Sequence, residues 1–284
     1  MTARLPRLSD ARLALTRPIT ARDEKERAAP LNIPAERPLS VYLDGRELIT
    51  LMTLGAAPEA LVLGYLRNQR LLALDDIEAV DVRWDAAGES GTAAVTTRGG
   101  VADLEERTAR RVVTTGCGQG SVFGSVMDEV DSIVLPAQAQ LRQSVIYRVV
   151  ETIRTQSSVY KQAGSVHGCG LFDSAGTLLH FVEDVGRHNA VDAIAGLMWL
   201  TGEEGGDKVF YTTGRLTSEM VIKGAQMGIP FLLSRSGTTE MGHTVAMKTG
   251  MTLLARCSGK HFMVLAAPQR IAQSIIFEPE LLET

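Results

Sequence analysis

The strongest constraint on the fold is an alternation of strand-like and helix-like segments that runs from residue 169 almost to the C-terminus. It begins with an apolar hairpin over residues 169–173 and 177–182. Strands and helices that alternate through short connections build a largely parallel sheet with helices on its faces. The sequence therefore predicts an α/β fold for residues 136–284. After the hairpin, helical patterns cover residues 189–200, 217–228 and 239–250, and strand patterns cover residues 208–212, 230–234, 251–256 and 261–266.

A small α+β domain is predicted before this sheet, over residues 31–135. Residues 39–52 alternate apolar and polar side chains around Asp44-Gly45, which is a hairpin turn signal. Pro58 suits the first position of a helix, because a proline there gives up no helical hydrogen bond. Further short strands are expected at residues 80–84, at 93–97, from 101 onward and at 111–115.

Leu135-Pro136 marks the predicted boundary between the two domains, and a long helix is expected after it. That helix carries Leu141, Val145, Val149 and Ile153 at a spacing of four residues, which places them on one face. Residues 1–30 are predicted to be a flexible leader. They contain six Arg and one Lys against four acidic residues, and no apolar segment follows, so they do not form a secretion signal.

Charge and hydropathy exclude two classes of partner. The 284 residues have a net charge of −4, which gives no electrostatic basis for binding nucleic acid. No segment approaches the roughly 18 consecutive apolar residues that span a bilayer. We therefore expect neither nucleic acid nor a membrane as a partner.

Three cysteines, Cys117, Cys169 and Cys257, are too few and too far apart for a disulfide scaffold or a zinc ribbon. They suit a reactive thiol in a reducing cytoplasm. Cys117 is the candidate nucleophile, because the glycines of Gly116-Cys-Gly-Gln-Gly120 expose its sulfur. The alternative is a small residue in a glycine turn. Cys169 is expected to pack in the core, and Cys257 to line a pocket or to pack in the core.

Polar, glycine-containing segments follow four of the predicted strands, at residues 183–189, 212–218, 234–239 and 256–261. In an open α/β sheet, ligands bind beyond the carboxyl ends of the strands, where helix N-termini offer free amides. Arginine, lysine and hydroxyl groups in such loops suit an anionic ligand with several phosphates. The alternative is that these loops only turn the chain and cap helices. The candidate ligand-binding residues are Arg187, His188, Asn189, Gly214, Arg215, Ser218, Ser236, Arg256, Cys257, Ser258, Gly259, Lys260 and His261.

Segment 183–189 has the highest density of polar side chains, and Asp184 or Asp192 is expected to orient Arg187 or His188. Known nucleotide-binding signatures are missing. The chain has neither a G-x-G-x-x-G fingerprint after a strand nor a Walker A motif. His167-Gly-Cys169 lacks the glutamate of a zinc deaminase, and no P-C-x-x-C motif follows it. No zinc or other metal site is predicted.

From about Glu36 to the C-terminus the sequence resembles the FdhD family, the accessory sulfurtransferases of formate dehydrogenase. The matching segments are residues 181–192, 213–219, 234–239 and 256–268, and the first of these is the most specific. The resemblance implies a cytidine-deaminase-like α/β/α domain after a small α+β domain, in a cytoplasmic homodimer.

The resemblance also implies a reaction. Family members accept persulfide sulfur from a cysteine desulfurase and pass it to the bis-molybdopterin guanine dinucleotide cofactor of molybdenum-dependent formate dehydrogenase. Cys117 matches the persulfide-carrying cysteine, and residues 256–261 match the cofactor-binding segment. GDP or GTP is then expected to mimic the nucleotide end of the cofactor.

One departure from the family pattern bears on the mechanism. Many members have Cys-Gly-x-Cys in this loop, whereas here Gly120 stands in place of the second cysteine. Either Cys117 acts alone, or a second thiol comes from elsewhere, or sulfur transfer is reduced or lost. A non-catalytic chaperone that binds the molybdenum cofactor is the alternative function, and a nucleotide hydrolase on the deaminase scaffold is a more distant one.

Overall fold

The computed structural model describes residues 4–101, 112–113, 120–121, 130 and 132–272. The elements of its N-terminal part are β1 (Arg7–Leu8), β2 (Thr16–Arg22), β3 (Ala28–Pro34), β4 (Arg37–Leu43), β5 (Arg46–Thr53), α1 (Pro58–Asn68), a 3-10 turn (Leu74–Asp76), β6 (Ile77–Trp84) and β7 (Gly91–Thr97). Five of these strands form one sheet in the order β1-β6-β7-β4-β5, and helix α1 packs against it. β2 and β3 form a separate hairpin.

The predicted hairpin around Asp44-Gly45 is confirmed. Both turn residues have positive φ, +47° at Asp44 and +82° at Gly45, as a two-residue turn between antiparallel strands requires. The helix predicted at Pro58 is also confirmed, with the proline in its first turn. The strands expected at 80–84 and 93–97 lie within β6 and β7.

The prediction of a flexible leader over residues 1–30 is wrong for the described part of that segment. β1 extends the five-stranded sheet by pairing in parallel with β6, and β2 pairs with β3 as a hairpin. Side chains from elsewhere hold the connecting segment: the Glu59 carboxylate accepts hydrogen bonds from Ser9 Oγ and the Ala11 amide, and Trp84 Nε1 donates to the Ala11 carbonyl. These partners are distant in sequence, so local composition could not reveal them.

The remaining elements are β8 (Val112–Val113), β9 (Gly120–Ser121), β10 (Leu141–Arg142), α2 (Gln143–Thr155), α3 (Val159–Ala163), β11 (His167–Phe172), β12 (Leu178–Asp184), α4 (Arg187–Thr201), β13 (Val209–Thr212), α5 (Ser218–Gln226), β14 (Phe231–Ser234), α6 (Glu240–Thr249), β15 (Thr252–Ser258), β16 (His261–Ala266), a second 3-10 turn (Pro268–Arg270) and β17 (Ile271–Ala272). Six of these strands form the central sheet, in the order β12-β11-β13-β14-β15-β16. Every predicted strand and helix end from residue 169 onward is confirmed to within two residues.

The prediction of a largely parallel sheet is wrong. Two pairs of neighbouring strands in this sheet, β13–β14 and β14–β15, are parallel. The other three pairs, β11–β12, β11–β13 and β15–β16, are antiparallel. Parallel neighbours need a crossover of about a dozen residues or more. The connections between β11 and β12 and between β15 and β16 are too short for that, so each makes a hairpin. Leu141 is also misplaced by the helix prediction, since it lies in β10 and pairs with β17.

Helices cover both faces of the central sheet, as an α/β fold requires. Buried residues of α4, α5 and α6 pack against one face, where Leu171, Phe210 and Leu232 point. Buried residues of α2 pack against the other, where Phe172 and Leu233 point. The predicted α/β class is thus confirmed. No helix among the described residues is long and apolar enough to span a bilayer.

The N-terminal part and the central sheet share one hydrophobic core through the contact of α1 with α4. Two glycines bring these helices to backbone contact. A Cβ atom added at Gly64 would lie 1.6 Å from the Asp192 carbonyl oxygen, and one added at Gly196 would lie 1.9 Å from the Ala60 carbonyl oxygen. The domain boundary predicted at Leu135-Pro136 therefore does not divide the core.

We expect Gly64→Ala to lower the free energy of unfolding by about 3 kcal/mol or more, because the clash is with rigid backbone. Urea denaturation measures the change. Gly224→Ala in α5 is the matched control, since its added Cβ meets the flexible Met251 side chain at 3.3 Å and Leu232 at an ordinary contact distance of 3.8 Å. Alanine favours a helix by up to about 1 kcal/mol over glycine, so the control should be neutral or stabilised. Equal stability of the two variants would contradict the role of Gly64.

Candidate functional site at the strand ends

The four polar segments meet at one edge of the central sheet. Thr212 at the end of β13 pairs with Ser234 at the end of β14, and β15 ends beside them in parallel with β14. β12 points the same way, because β11 lies between it and β13 and is antiparallel to both. β11 therefore contributes its first residue, His167, which pairs with Asp184. The predicted convergence of these segments is confirmed although the sheet is mixed.

Hydrogen bonds tie the loops of this edge to one another. Ser234 Oγ donates to the Gly214 carbonyl at 2.6 Å and accepts from the Ser236 amide at 2.9 Å. Thr212 Oγ1 accepts from the Gly214 amide, and the Arg256 amide donates to the Ser236 carbonyl. Because these buried hydroxyl groups are bonded within the loops, we expect the outer side chains to make the contacts with a ligand. Exposed there are Arg215, Arg235, Arg256, Ser258, Gly259, Lys260 and His261, while Ser218 and Ser236 are half-buried.

Helix α4 begins at this edge, but its first three residues are buried. Gly214 makes room for Arg187, since an added Cβ would lie 3.1 Å from Arg187 Cδ. Asn189 Nδ2 donates to the Met52 carbonyl at 2.6 Å and to Asp184 Oδ1 at 2.8 Å. His188 also points inward, and Arg187 is buried as well, so the structure exposes none of these three predicted residues at the open edge.

Asp184 anchors the N-terminal part of the chain, and the carboxylate beside His188 is that of Glu219 rather than that of Asp184. Its carboxylate accepts from Thr53 Oγ1 at 2.5 Å and from the Leu54 amide at 3.1 Å. It also accepts from the Gly186 amide and from Asn189. Burial raises the pKa of Asp184, and these hydrogen bonds partly offset that effect. The end of β12 is thereby fixed to the loop after β5.

A buried polar cluster lies beneath the edge and links three helices. Lys223 Nζ of α5 lies 2.9 Å from Asp192 Oδ2 of α4 and 3.8 Å from Glu219 Oε1. Asn68 Nδ2 of α1 donates to Asp192 Oδ1 at 2.7 Å, and His188 Nε2 lies 3.3 Å from Glu219 Oε2. Asp192 is fully buried and Lys223 is 2 % exposed. We name these five residues the Asp192–Lys223 cluster.

The charges of this cluster follow from its burial. Burial opposes the charge of Lys223, but Asp192 and Glu219 outweigh that effect and raise its pKa. Burial also raises the pKa of both carboxyl groups. Burial, together with the positive charges of Lys223 and Arg187, lowers the pKa of His188 to about 2. The cluster thus holds a charged lysine against Asp192 and a neutral imidazole against Glu219.

A cavity of about 270 Å³ opens at the same edge, between α2, α3 and the sheet. Its walls are apolar and aromatic, including Ile153, Phe181 and Tyr211. Cys257, Ser258 and Gly259 of the predicted ligand-binding set line it. At its rim the Arg235 guanidinium carbon lies 5.5 Å from the centre of the Tyr160 ring, within the range of a cation–π contact. Its rim cations are Arg154, Lys161 and Arg235.

A second cavity, of about 720 Å³, lies between residues 8–15, α1, α3 and α4. It shares Ser158, Phe181 and Glu183 with the first, and none of the predicted site residues lines it. Among the described residues, no three His, Cys, Asp or Glu side chains are grouped so as to hold a metal ion.

The FdhD/NarQ family model matches residues 34–272. The chain belongs to the FdhD/NarQ family. It is 28% identical over 243 residues to the sulfur carrier protein FdhD of Listeria monocytogenes serotype 4b, covering 84% of this chain and 91% of that one. It is 27% identical over 256 residues to the sulfur carrier protein FdhD of Sulfurisphaera tokodaii, covering 88% and 95%. A crystal structure described as that of a formate dehydrogenase accessory protein from Desulfotalea psychrophila superposes with a TM-score of 0.73 at 27% identity, covering 90% of this chain and 98% of that one.

The three cysteines of this FdhD/NarQ chain differ in surroundings. Cys117 lies outside the described residues, between β8 and β9, which pair antiparallel. Cys169 packs in the core as predicted, and burial raises its pKa to about 12. Cys257 both lines the cavity and packs in the core, and burial raises its pKa to about 11.

Sequence reasoning missed three residues of the edge in this family member: His167, Arg235 and Tyr160. His167 stands out in sequence only as part of a failed zinc motif. Arg235 could have been predicted, because it lies in segment 234–239 and is a cation directly after the end of a strand. Nothing in the sequence marks Tyr160, because α3 meets the sheet only in three dimensions.

We expect Lys223→Met to lower the free energy of unfolding by about 3–5 kcal/mol, because it leaves Asp192 buried without its counter-charge. Chemical denaturation tests this, with Lys248→Met, an exposed lysine of α6, as the control. Adding Asp192→Asn to Lys223→Met should recover part of the loss, since it removes the stranded charge. A double variant no more stable than Lys223→Met would contradict the ion pair.

Proposed function

We propose that this chain is a sulfur carrier that accepts persulfide sulfur on Cys117 from a cysteine desulfurase and delivers it to bis-molybdopterin guanine dinucleotide for a molybdenum-dependent formate dehydrogenase. The proposal rests on the family, on the names of the relatives and on one observation of the structure. That observation is an edge rich in arginine beside an apolar, aromatic cavity. A cytoplasmic homodimer is part of the same proposal.

The cavity and the cations suit the two chemistries of this substrate. Flat heterocycles pack well against aromatic and apolar walls such as Phe181 and Tyr211. Diphosphate groups are bound best by guanidinium groups and backbone amides. Arg187, Arg215 and Arg256 lie at the same strand ends, and Ser258 and Gly259 line the cavity. A ligand with a heterocycle and a diphosphate would engage both regions.

The loading step is a thiol exchange. The Cys117 thiolate attacks the outer sulfur of the desulfurase persulfide, and a new S–S bond forms to that sulfur. The S–S bond of the donor breaks, and the desulfurase cysteine leaves as a thiolate. No net oxidation or reduction takes place. The sulfur now carried on Cys117 is the one proposed to pass to the cofactor.

Cys117 carries the sulfur without a second thiol of this chain. The thiolate is the attacking species. With pKa values raised to about 12 and 11, Cys169 and Cys257 are protonated at neutral pH. Gly120 cannot relay sulfur at all. This leaves single-thiol carriage, with the non-catalytic cofactor chaperone as the second candidate, favoured by the missing cysteine at position 120.

Incubation with a cysteine desulfurase and cysteine should add about 32 Da, the mass of one sulfur atom, to the intact protein. The adduct should disappear on addition of a thiol reductant and be absent from Cys117→Ala. Cys257→Ala is the matched control and should still load. An adduct that persists in Cys117→Ala would contradict the assignment of Cys117 as the sulfur-carrying residue. Restoration of formate dehydrogenase activity by Cys117→Ala in a deficient strain would favour the chaperone.

GDP, as a mimic of the cofactor's nucleotide end, should bind at the strand-end site. We expect Arg215→Ala and Lys260→Ala each to weaken its binding by about 1.5–3 kcal/mol, the range for a hydrogen bond to a charged group. Titration calorimetry measures the affinities, with Lys25→Ala in the β2–β3 turn as a control outside the site. Unchanged affinity in both variants would remove these residues from the site.

A further inference from the structure

His167 occupies a central position at the strand-end edge. It is the first residue of β11 and pairs with Asp184 at the end of β12. The next residue, Gly168, donates its amide to Thr213 Oγ1 at 3.0 Å and accepts from the Thr213 amide at 2.9 Å. The backbone at His167 is therefore fixed between the end of β12 and the loop after β13. Its side chain is half-buried.

Cations from three other segments act on this imidazole. Arg187 comes from the start of α4, Arg215 from the loop after β13 and Arg235 from the loop after β14. Burial, followed by the positive charges of these three arginines, lowers the pKa of His167. His188 also faces it, but is neutral. Burial and these cations therefore favour the uncharged form of the imidazole.

The nearby carboxylates are committed elsewhere. Glu183 accepts from the Val159 amide at 2.5 Å and the Tyr160 amide at 3.2 Å, at the start of α3. Asp184 accepts from Thr53, Leu54, Gly186 and Asn189. No carboxylate is among the groups that shift the pKa of His167. A bound anion would therefore supply a negative charge that Glu183 and Asp184 do not supply to His167.

We propose that His167 is a further anion-binding residue of this edge, and that it takes up a proton when a diphosphate group binds beside the exposed Arg215 and Arg235. The inference rests on the proposed function for the identity of the ligand, since the nucleotide ends of that substrate carry diphosphates. A bound diphosphate offsets the repulsion from the arginines and attracts the imidazolium, so charging His167 becomes favourable only in the complex.

Binding and protonation are then linked. Above the pKa of the complex neither state carries the proton, and below that of the free protein both do. Between the two values affinity rises as pH falls, by up to about tenfold per pH unit for one linked proton. The free-protein value lies below the ordinary 6.5 of histidine, so the dependence appears from there upward.

Titration calorimetry with GDP-mannose tests the proposal, because its internal diphosphate has no group that titrates in this pH range. Measurements at about pH 6.5, the ordinary pKa of histidine, in buffers of different ionisation enthalpy give the protons taken up on binding. We expect uptake of up to one proton by the wild-type chain and almost none by His167→Gln. His180→Gln is the matched control, since His180 pairs with Glu203 away from this edge, and it should keep the wild-type uptake.

The same uptake in His167→Gln as in the wild-type chain would overturn the proposal, as would wild-type binding without proton exchange or no binding at all. A second measurement uses only the wild-type chain, so it does not depend on whether the variant folds. NMR titration of the His167 ring resonance should give a higher pKa with GDP-mannose than without it. An identical pKa overturns the proposal. If GDP-mannose binds without proton uptake, the role of His167 is contradicted but the sulfur-carrier proposal is not. If protons are taken up but the chain forms no persulfide, the sulfur-carrier proposal is contradicted and the role of His167 is not.

Discussion

Backbone contact between α1 and α4 is the constraint on which the rest of the structure depends. Gly64 and Gly196 leave no space between the two helices for a Cβ atom. At this distance the short side chain of Asn68 reaches Asp192, and Asp192 in turn holds Lys223 of α5. One chain of contacts thus runs from the N-terminal part to α4 and α5, two of the helices that begin at the strand-end edge. The contacts of Asp192 with Asn68 and Lys223 therefore help to position Arg187 and Ser218, although they lie more than one helical turn from either residue.

The Asp192–Lys223 ion pair does more to fix the relative position of α4 and α5 than to raise the free energy of unfolding. Removing two charges from water costs several kcal/mol, and their attraction in the core only roughly offsets that cost. A well-packed apolar pair would stabilise the core as much. It would not select which turn of α5 faces which turn of α4, because apolar contacts have no direction. The hydrogen bonds from Asn68 and Lys223 to the two oxygens of Asp192 do have direction.

The sequence predicts local features well and long-range ones poorly, for physical reasons. Periodicity and turn residues such as Asp44-Gly45 are local, and the elements they indicate are confirmed. The pairing of β1 with β6 and the fixing of Ser9 by Glu59 depend on residues about 50 to 70 positions away, so composition predicted a flexible leader instead. Successive residues of a helix differ by about 100° in direction, so a polar first turn does not reveal that His188 and Asn189 point inward. The family resemblance supplied what spacing could not, the match of residues 256–261 to a ligand-binding segment.

Single-thiol carriage, as proposed for this chain, would impose an order on its partners. Burial raises the pKa of Cys169 and Cys257, and position 120 has no sulfur, so these three positions offer no thiolate to which the carried sulfur could move. In the proposed reaction, donor and acceptor would therefore reach the same atom, the Cys117 sulfur, in turn. The desulfurase would have to leave before the reacting part of the cofactor could approach, because both would need the space around one sulfur. A strand-end site that bound the cofactor by its nucleotide ends would allow the substrate to be held while the thiol was still being loaded.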